Sequence, residues 1–118
     1  VNIPKINRFR ENFEFEIVFS PNAVADLENI FENIQNYSGS KEDAYYVVES
    51  IQCSIEVLKN PFVSGILPYS ARIANLKYRQ IPIVGGNYLV FFRNDENKKL
   101  RIVDHIKSAR TDYQNLIC

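Results

Sequence analysis

The chain has no tryptophan and no methionine, even at position 1, which points to a processed or partial chain. Two cysteines, Cys53 and Cys118, are too few for a disulfide scaffold; they read as free thiols of a reducing cytosol. No CxxC pair or histidine cluster exists, so a zinc site is not expected, and no other metal or cofactor is called for. No apolar run approaches the roughly 18–20 residues needed to cross a bilayer, and the N-terminus lacks the apolar block of a secretory signal. With 118 residues, 46% apolar and 24% charged, the composition is that of one ordinary globular domain. No repeat or low-complexity segment is visible.

Charge of one sign is also missing, because the net is zero. It is unevenly spread, however. Residues 1–71 carry five Lys and Arg against ten Asp and Glu, a net of −5; residues 72–118 carry nine against four, a net of +5. Either the two halves neutralise each other or the second half offers a polyanion-binding face.

Residues 1–12 read as an N-terminal arm, and 13–118 as the single domain. Phe13-Glu14-Phe15-Glu16-Ile17-Val18-Phe19 alternates and predicts a strand with Phe13, Phe15, Ile17 and Phe19 on one face. Ser20-Pro21 opens a helix, with Ser20 as N-cap and proline at its first position. Ala23, Leu27, Ile30, Phe31 and Ile34 form its apolar stripe, with Asp26, Glu28 and Glu32 mainly elsewhere. Gly39 is its C-terminal stop. Ser40 caps a second helix, with Asp43 placed as in a capping box. Its stripe is Ala44, Val47, Val48, Ile51, Ile55 and Leu58, with Cys53 inside the same pattern, and it stops near Asn60-Pro61.

Residues 61–76 read as an irregular loop with a short strand near Arg72–Ala74. Three strands follow, near 76–84, 87–94 and 99–107, separated by turn-like Val84-Gly85-Gly86-Asn87 and Asn94-Asp95-Glu96-Asn97. The tail 108–117 reads as a short helix or extended arm, with Tyr113, Leu116 and Ile117 spaced to dock on the body. The order β-α-α-β-β-β predicts an α+β fold. A helix hairpin packs on one face of a four-stranded, mainly antiparallel twisted sheet, and the first strand lies beside the last ones. The other face is expected to be partly open and basic.

FEIVFSPNAVADLENI, IEVLKNPFVSG, KYRQIPIVGGNYLVFF and IVDHIKSARTDYQNLI, in this order over residues 13–117, resemble the RelE/ParE superfamily of bacterial type II toxin–antitoxin toxins. The resemblance implies a cytoplasmic toxin held inactive by a cognate antitoxin in a hetero-oligomer. Its expected target is mRNA in the ribosome, cut by a metal-independent endoribonuclease; the alternative is DNA gyrase, poisoned without catalysis. Cleavage needs a base, an acid and cations around one phosphate. By resemblance, Arg79 is the phosphate contact of the first meander strand. His105 carries the one side chain whose unperturbed pKa lies near neutrality and stands for the acid or base, or for a structural hydrogen-bonding residue. Arg110 and Tyr113 match the basic and aromatic tail, with Tyr113 also suited to packing. Lys77, Arg93, Arg101 and Lys107 are the candidate RNA-binding residues, Arg93 and Arg101 equally a solvated hairpin tip. Tyr88 reads as core. Leu89 departs from the arginine that many nuclease members carry after the strand tyrosine, and the neutral charge departs from their basicity.

Overall fold

A computed structural model describes residues 14–68 and 71–110. Strand β1 (Glu16–Phe19) leads directly into helix α1 (Pro21–Ser38), which turns into helix α2 (Lys41–Ile55). A single 3-10 turn (Glu56–Lys59) extends α2, and a short helix α3 (Ala71–Asn75) precedes strands β2 (Arg79–Ile83), β3 (Tyr88–Asp95) and β4 (Leu100–Ser108).

The helix ends are set locally. The Ser20 hydroxyl accepts from the Ala23 N–H at 3.2 Å, and Gly39, in the left-handed region at φ 73°, returns its N–H to the Gln35 carbonyl. The Ser40 hydroxyl accepts from Asp43 N–H at 3.2 Å. The reciprocal half of a capping box is absent, because the Ser40 N–H is taken by the Ser38 hydroxyl.

Among the described residues the strands form one sheet in the order β1-β4-β3-β2. β1 runs parallel to β4, while β4, β3 and β2 are antiparallel neighbours. The first strand therefore joins the last one, as the order of elements requires. Register decides which side chains share a face. Phe92 pairs with both Arg79 and Val103, whereas Phe91 pairs with both Gln80 and His105. The shift between these two rows leaves Asp104 without a partner across the ladder, a β-bulge on β4.

The main core lies under the helix hairpin. Ala23 and Leu27 of α1, with Ile51 and Ile55 of α2, bury against Val90, Phe92, Val103 and Ile106. Burial of such side chains contributes about 1.5–3 kcal/mol each. Cys53 is exposed and outside this stripe. Two residues from both Ile51 and Ile55, it falls on the opposite side of a 3.6-residue helix. Phe13 lies outside the described residues. Ile17 and Phe19 pack on the core, and Phe15 is buried just ahead of β1.

The second face of the sheet is not the open basic surface that was expected. Ile73 of α3 covers Tyr78 and Phe91 there, with half-buried Leu89 beside them. Residues 71–75 are helical rather than a strand; among the described residues the preceding loop makes one strand-like contact, an isolated bridge from Ile66 to Gln80. Gly65 makes that approach feasible: at φ 67°, a Cβ on it would stand 2.7 Å from the Gln80 carbonyl.

Candidate functional site

The structure separates the residues that cleavage chemistry would need together. Arg79 shares the row of Phe92, so its side chain starts on the helix side. There its Nε donates to the Ser64 carbonyl at 3.1 Å and its Nη2 to the Gly65 carbonyl at 3.2 Å. It ties down the loop ahead of β2. His105 shares the row of Phe91 and lies on the opposite face. The expected convergence of Arg79 with His105 on one open surface is not found.

His105 is 7% exposed and lies within β4. Its ring stands edge-on to Tyr78, with centroids 5.6 Å apart. Its Nδ1 has no hydrogen-bond partner among the described residues and sits 3.9 Å from Asp26 Oδ2, too far for a bond. Burial pulls its pKa below the ordinary value, against the opposing pull of Asp104 and Asp26. At neutral pH the imidazole is uncharged.

Around it stands a connected polar cluster that the sequence pattern did not reveal. The Tyr78 hydroxyl donates to Asp104 Oδ2, and Arg93 approaches the same oxygen at 3.4 Å while covering the Tyr78 ring. The Asp104 carboxyl is 7% exposed as a residue. Burial alone would raise its pKa, but the nearby Ser20 hydroxyl, which donates to the Asp104 backbone carbonyl, the hydrogen bond from Tyr78 to the carboxylate, and the charges of His105 and Arg93 hold it below the usual value. The bulge at Asp104 is what turns both Asp104 and His105 toward Tyr78. Asp26, one turn into α1, accepts from the Ile106 N–H at 2.9 Å and pairs with Lys107 at 2.7 Å. It seals the edge of β4 beyond the end of β1.

These shifts predict the pH profile of stability. Both folded-state pKa values lie below those of the unfolded chain. Each contribution is therefore complete above the unfolded value and is lost as pH falls toward the folded one. For His105 the decline begins near its unfolded value of about 6.5; for Asp104 it begins near about 3.9. Urea unfolding at pH 7.5 and 5.5 is expected to show the wild type losing stability over this interval. His105→Gln is expected to be nearly flat there. A flat wild-type profile would contradict the assignment.

The other predicted residues scatter. Arg101 is 2% exposed. Its Nη1 donates to the Leu58 and Asn60 carbonyls, its Nη2 to that of Pro61 and its Nε to Asn94 Oδ1. It lies over the rings of Phe15 and Phe92, 4.7 and 5.3 Å from their centroids. Desolvation lowers its pKa. It is a structural bolt, and the expectation of an RNA contact or a solvated tip is corrected by its burial. Lys107 is committed to Asp26, with its side chain 15% exposed. Arg93 is half exposed beside Asp104. Lys77 is exposed in the turn before β2, with φ 65°. Arg110 is exposed just past β4. Tyr88 is half-buried against the core, and burial raises its pKa. Tyr113 lies outside the described residues. Among the described residues no group of three or more His, Cys, Asp or Glu could hold a metal ion, and no helix is long and apolar enough to cross a membrane.

Comparison with known proteins bears on this geometry. The family described as "ParE toxin of type II toxin-antitoxin system, parDE" matches over residues 17–113. Among solved structures, the chromosomal ParDE toxin–antitoxin system from P. aeruginosa superposes with TM-score 0.68 at 17% identity. The match covers 83% of this chain and 99% of that one. The isolated E. coli RelE toxin superposes with TM-score 0.48 at 13% identity, covering 87% of this chain and 95% of that one. A search of curated proteins finds no sequence relative.

Proposed function

This chain belongs to the family of ParE toxins of type II toxin–antitoxin systems, and we infer that it arrests growth by binding DNA gyrase rather than by cutting RNA. A cognate antitoxin is the partner that holds it inactive. The observation that carries the gyrase reading is the separation of Arg79 from His105 on opposite faces of the sheet. Metal-free RNA cleavage requires a base, an acid and charge-stabilising cations around one reacting phosphate. Here Arg79 is bonded to loop carbonyls, His105 is buried and neutral, and Arg101 and Lys107 are held internally. Leu89 in place of the arginine found in many nuclease members points the same way.

A binding toxin needs an exposed surface rather than a reactive cluster. The helix hairpin supplies one: Tyr37, Tyr45 and Tyr46 are 96%, 57% and 73% exposed. Tyrosine is a residue that interfaces favour. Gyrase acts on the chromosome, so the site of action is the cytoplasm.

The test is the double variant Arg79→Ala, His105→Gln, induced in a bacterium. Growth arrest within about threefold of wild type at equal soluble protein supports gyrase binding. Lost toxicity, with antitoxin binding intact and ribosome-dependent mRNA cleavage demonstrable for the wild type, establishes the nuclease alternative.

A further inference from the structure

The sheet leaves one side of β1 uncovered. Among the described residues β1 pairs with β4 and with no other strand. Glu16 and Ser20 donate inward, to the Lys99 and Val103 carbonyls. By the alternation of a strand, Ile17 and Phe19 therefore turn their N–H and C=O groups outward. Neither N–H donates to a partner among the described residues. Beside this edge runs a groove with an apolar floor of Ile17, Phe19 and Ile55 and with Glu16, Glu56 and Lys59 at its rim. Phe19 and Gln52 also line a trough between α1 and α2, floored by Leu27 and Val48 and rimmed by Glu28 and Glu32, so the two depressions are continuous. Glu16, Glu28 and Glu32 are exposed and in no ion pair among the described residues.

Residues 1–13 lie outside the described residues and ahead of the family match, which starts at residue 17. Their charge is opposite to that of the chain that follows. Three of the five bases of the acidic half, Lys5, Arg8 and Arg10, stand here against Glu11 alone, a net of +2. Residues 14–71 carry Lys41 and Lys59 against nine acids, a net of −7. Between the basic residues of the arm stand Val1, Ile3, Ile6 and Phe9. The arm is tied to the mouth of the groove, since only Glu14 and Phe15 separate it from Glu16. Phe15 donates to the Lys59 carbonyl, so a tight hairpin cannot start there and the chain needs a few residues to reverse. Residues 1–10 then reach about 33 Å when extended. The groove needs less: β1 together with α1 from Val24 to Glu32 spans about 25 Å.

We propose that the chain's own N-terminal arm, residues 1–13, lies in this groove when the protein is alone, with its backbone against the Ile17 and Phe19 edge and Lys5, Arg8 and Arg10 beside the acidic rim. Pairing along β1 gives the two outward N–H groups their acceptors. Ile3, Ile6 and Phe9 cover the apolar floor, and the opposite charges of arm and rim select this segment over others. The tether also favours it: a short link holds the arm near its site at an effective concentration in the mM range, above that of a second copy in an ordinary solution. A covered edge no longer invites indiscriminate pairing between chains. A partner that uses this groove must first displace the arm, so the arm sets a threshold for such binding. This cover is independent of the target on which the toxin acts.

The experiment uses the full chain, purified alone, with amide hydrogen exchange followed at Ile17 and Phe19 by NMR. Both amides are expected to be protected, to the same degree over a tenfold range of protein concentration. Reversing the arm with Lys5→Glu, Arg8→Glu and Arg10→Glu is expected to speed their exchange at least about tenfold. Reversing the rim with Glu28→Lys and Glu32→Lys is expected to do the same. Combining the two sets is expected to restore protection to within about threefold of wild type, a rescue that general destabilisation cannot give. A measurement without variants stands beside these: nuclear Overhauser contacts between Ile6 or Phe9 and Leu27 or Val48 in the wild type. Fast exchange in the wild type overturns the proposal, as does protection that is indifferent to reversal of the arm. Failure of the combined variant to recover, or absence of the Overhauser contacts, overturns it as well. Protection that grows with concentration also overturns it, and assigns the edge to a second copy.

Discussion

Replacing Arg101 by methionine is expected to lower stability by about 2–4 kcal/mol, through the loss of charged-donor hydrogen bonds to neutral acceptors, one of them buried. For a domain of this size that corresponds to a fall in melting temperature of roughly 10–20 °C. The guanidinium donates to three carbonyls, at Leu58, Asn60 and Pro61, where the chain leaves the 3-10 turn that extends α2. Methionine fills much of the volume between the Phe15 and Phe92 rings but donates nothing. The Leu58 carbonyl would lose a buried donor, at about 1–3 kcal/mol, while the partly buried acceptors at Asn60, Pro61 and Asn94 can turn to water at smaller cost. Arg93→Ala is the control. Its side chain is 47% exposed, and its loss is expected to cost less than about 1 kcal/mol. Equal melting temperatures for the two variants would remove the structural role assigned to Arg101.

Asp26→Ala is expected to rank next, at about 2–4 kcal/mol, because one carboxylate serves a buried backbone N–H and a nearly buried ammonium together. Removing it leaves the Ile106 N–H unpaired at the unpartnered end of β4 and strands Lys107. Asp26 also pulls the His105 pKa upward against burial. With the carboxylate gone, His105 is expected to titrate at still lower pH, a shift that NMR of the single histidine reads directly. Asp26→Asn separates the two effects, since it keeps an acceptor for the backbone but not the charge. Urea midpoints for both variants indistinguishable from wild type would contradict this account of the β4 edge.

The parts of the fold that were legible in the sequence depend on neighbours in the chain. Ser20, Gly39 and Ser40 announce helix ends because a cap bonds within three or four residues. Alternation and turn residues place β2, β3 and β4 to within a few positions. What was illegible depends on register and on distant partners. Arg79 and His105 both sit on strands that mix basic and apolar residues, and only the pairing of Phe92 with Arg79 and of Phe91 with His105 assigns them to opposite faces. A single bulged residue, Asp104, sets the face of everything after it on β4, and nothing in IVDHIKS marks it. Asp26 reads as one more acid on an amphipathic helix, yet its partner is 80 residues away. Ala71–Asn75 mixes apolar and polar residues over too few positions for either period to stand out, and it forms a helix where a strand was expected. The position of Cys53, two residues from both Ile51 and Ile55, could have been read correctly from helical spacing alone.

The most direct test of the central claim is the action of the purified toxin on purified gyrase. Negative supercoiling of relaxed plasmid is followed with and without the antitoxin, beside a ribosome-programmed mRNA cleavage assay on the same preparation. Gyrase inhibition that the antitoxin reverses, with intact mRNA, is the predicted result. Undisturbed supercoiling together with cut mRNA would contradict the account, and would require the cleavage chemistry to be assembled from residues other than the separated Arg79 and His105.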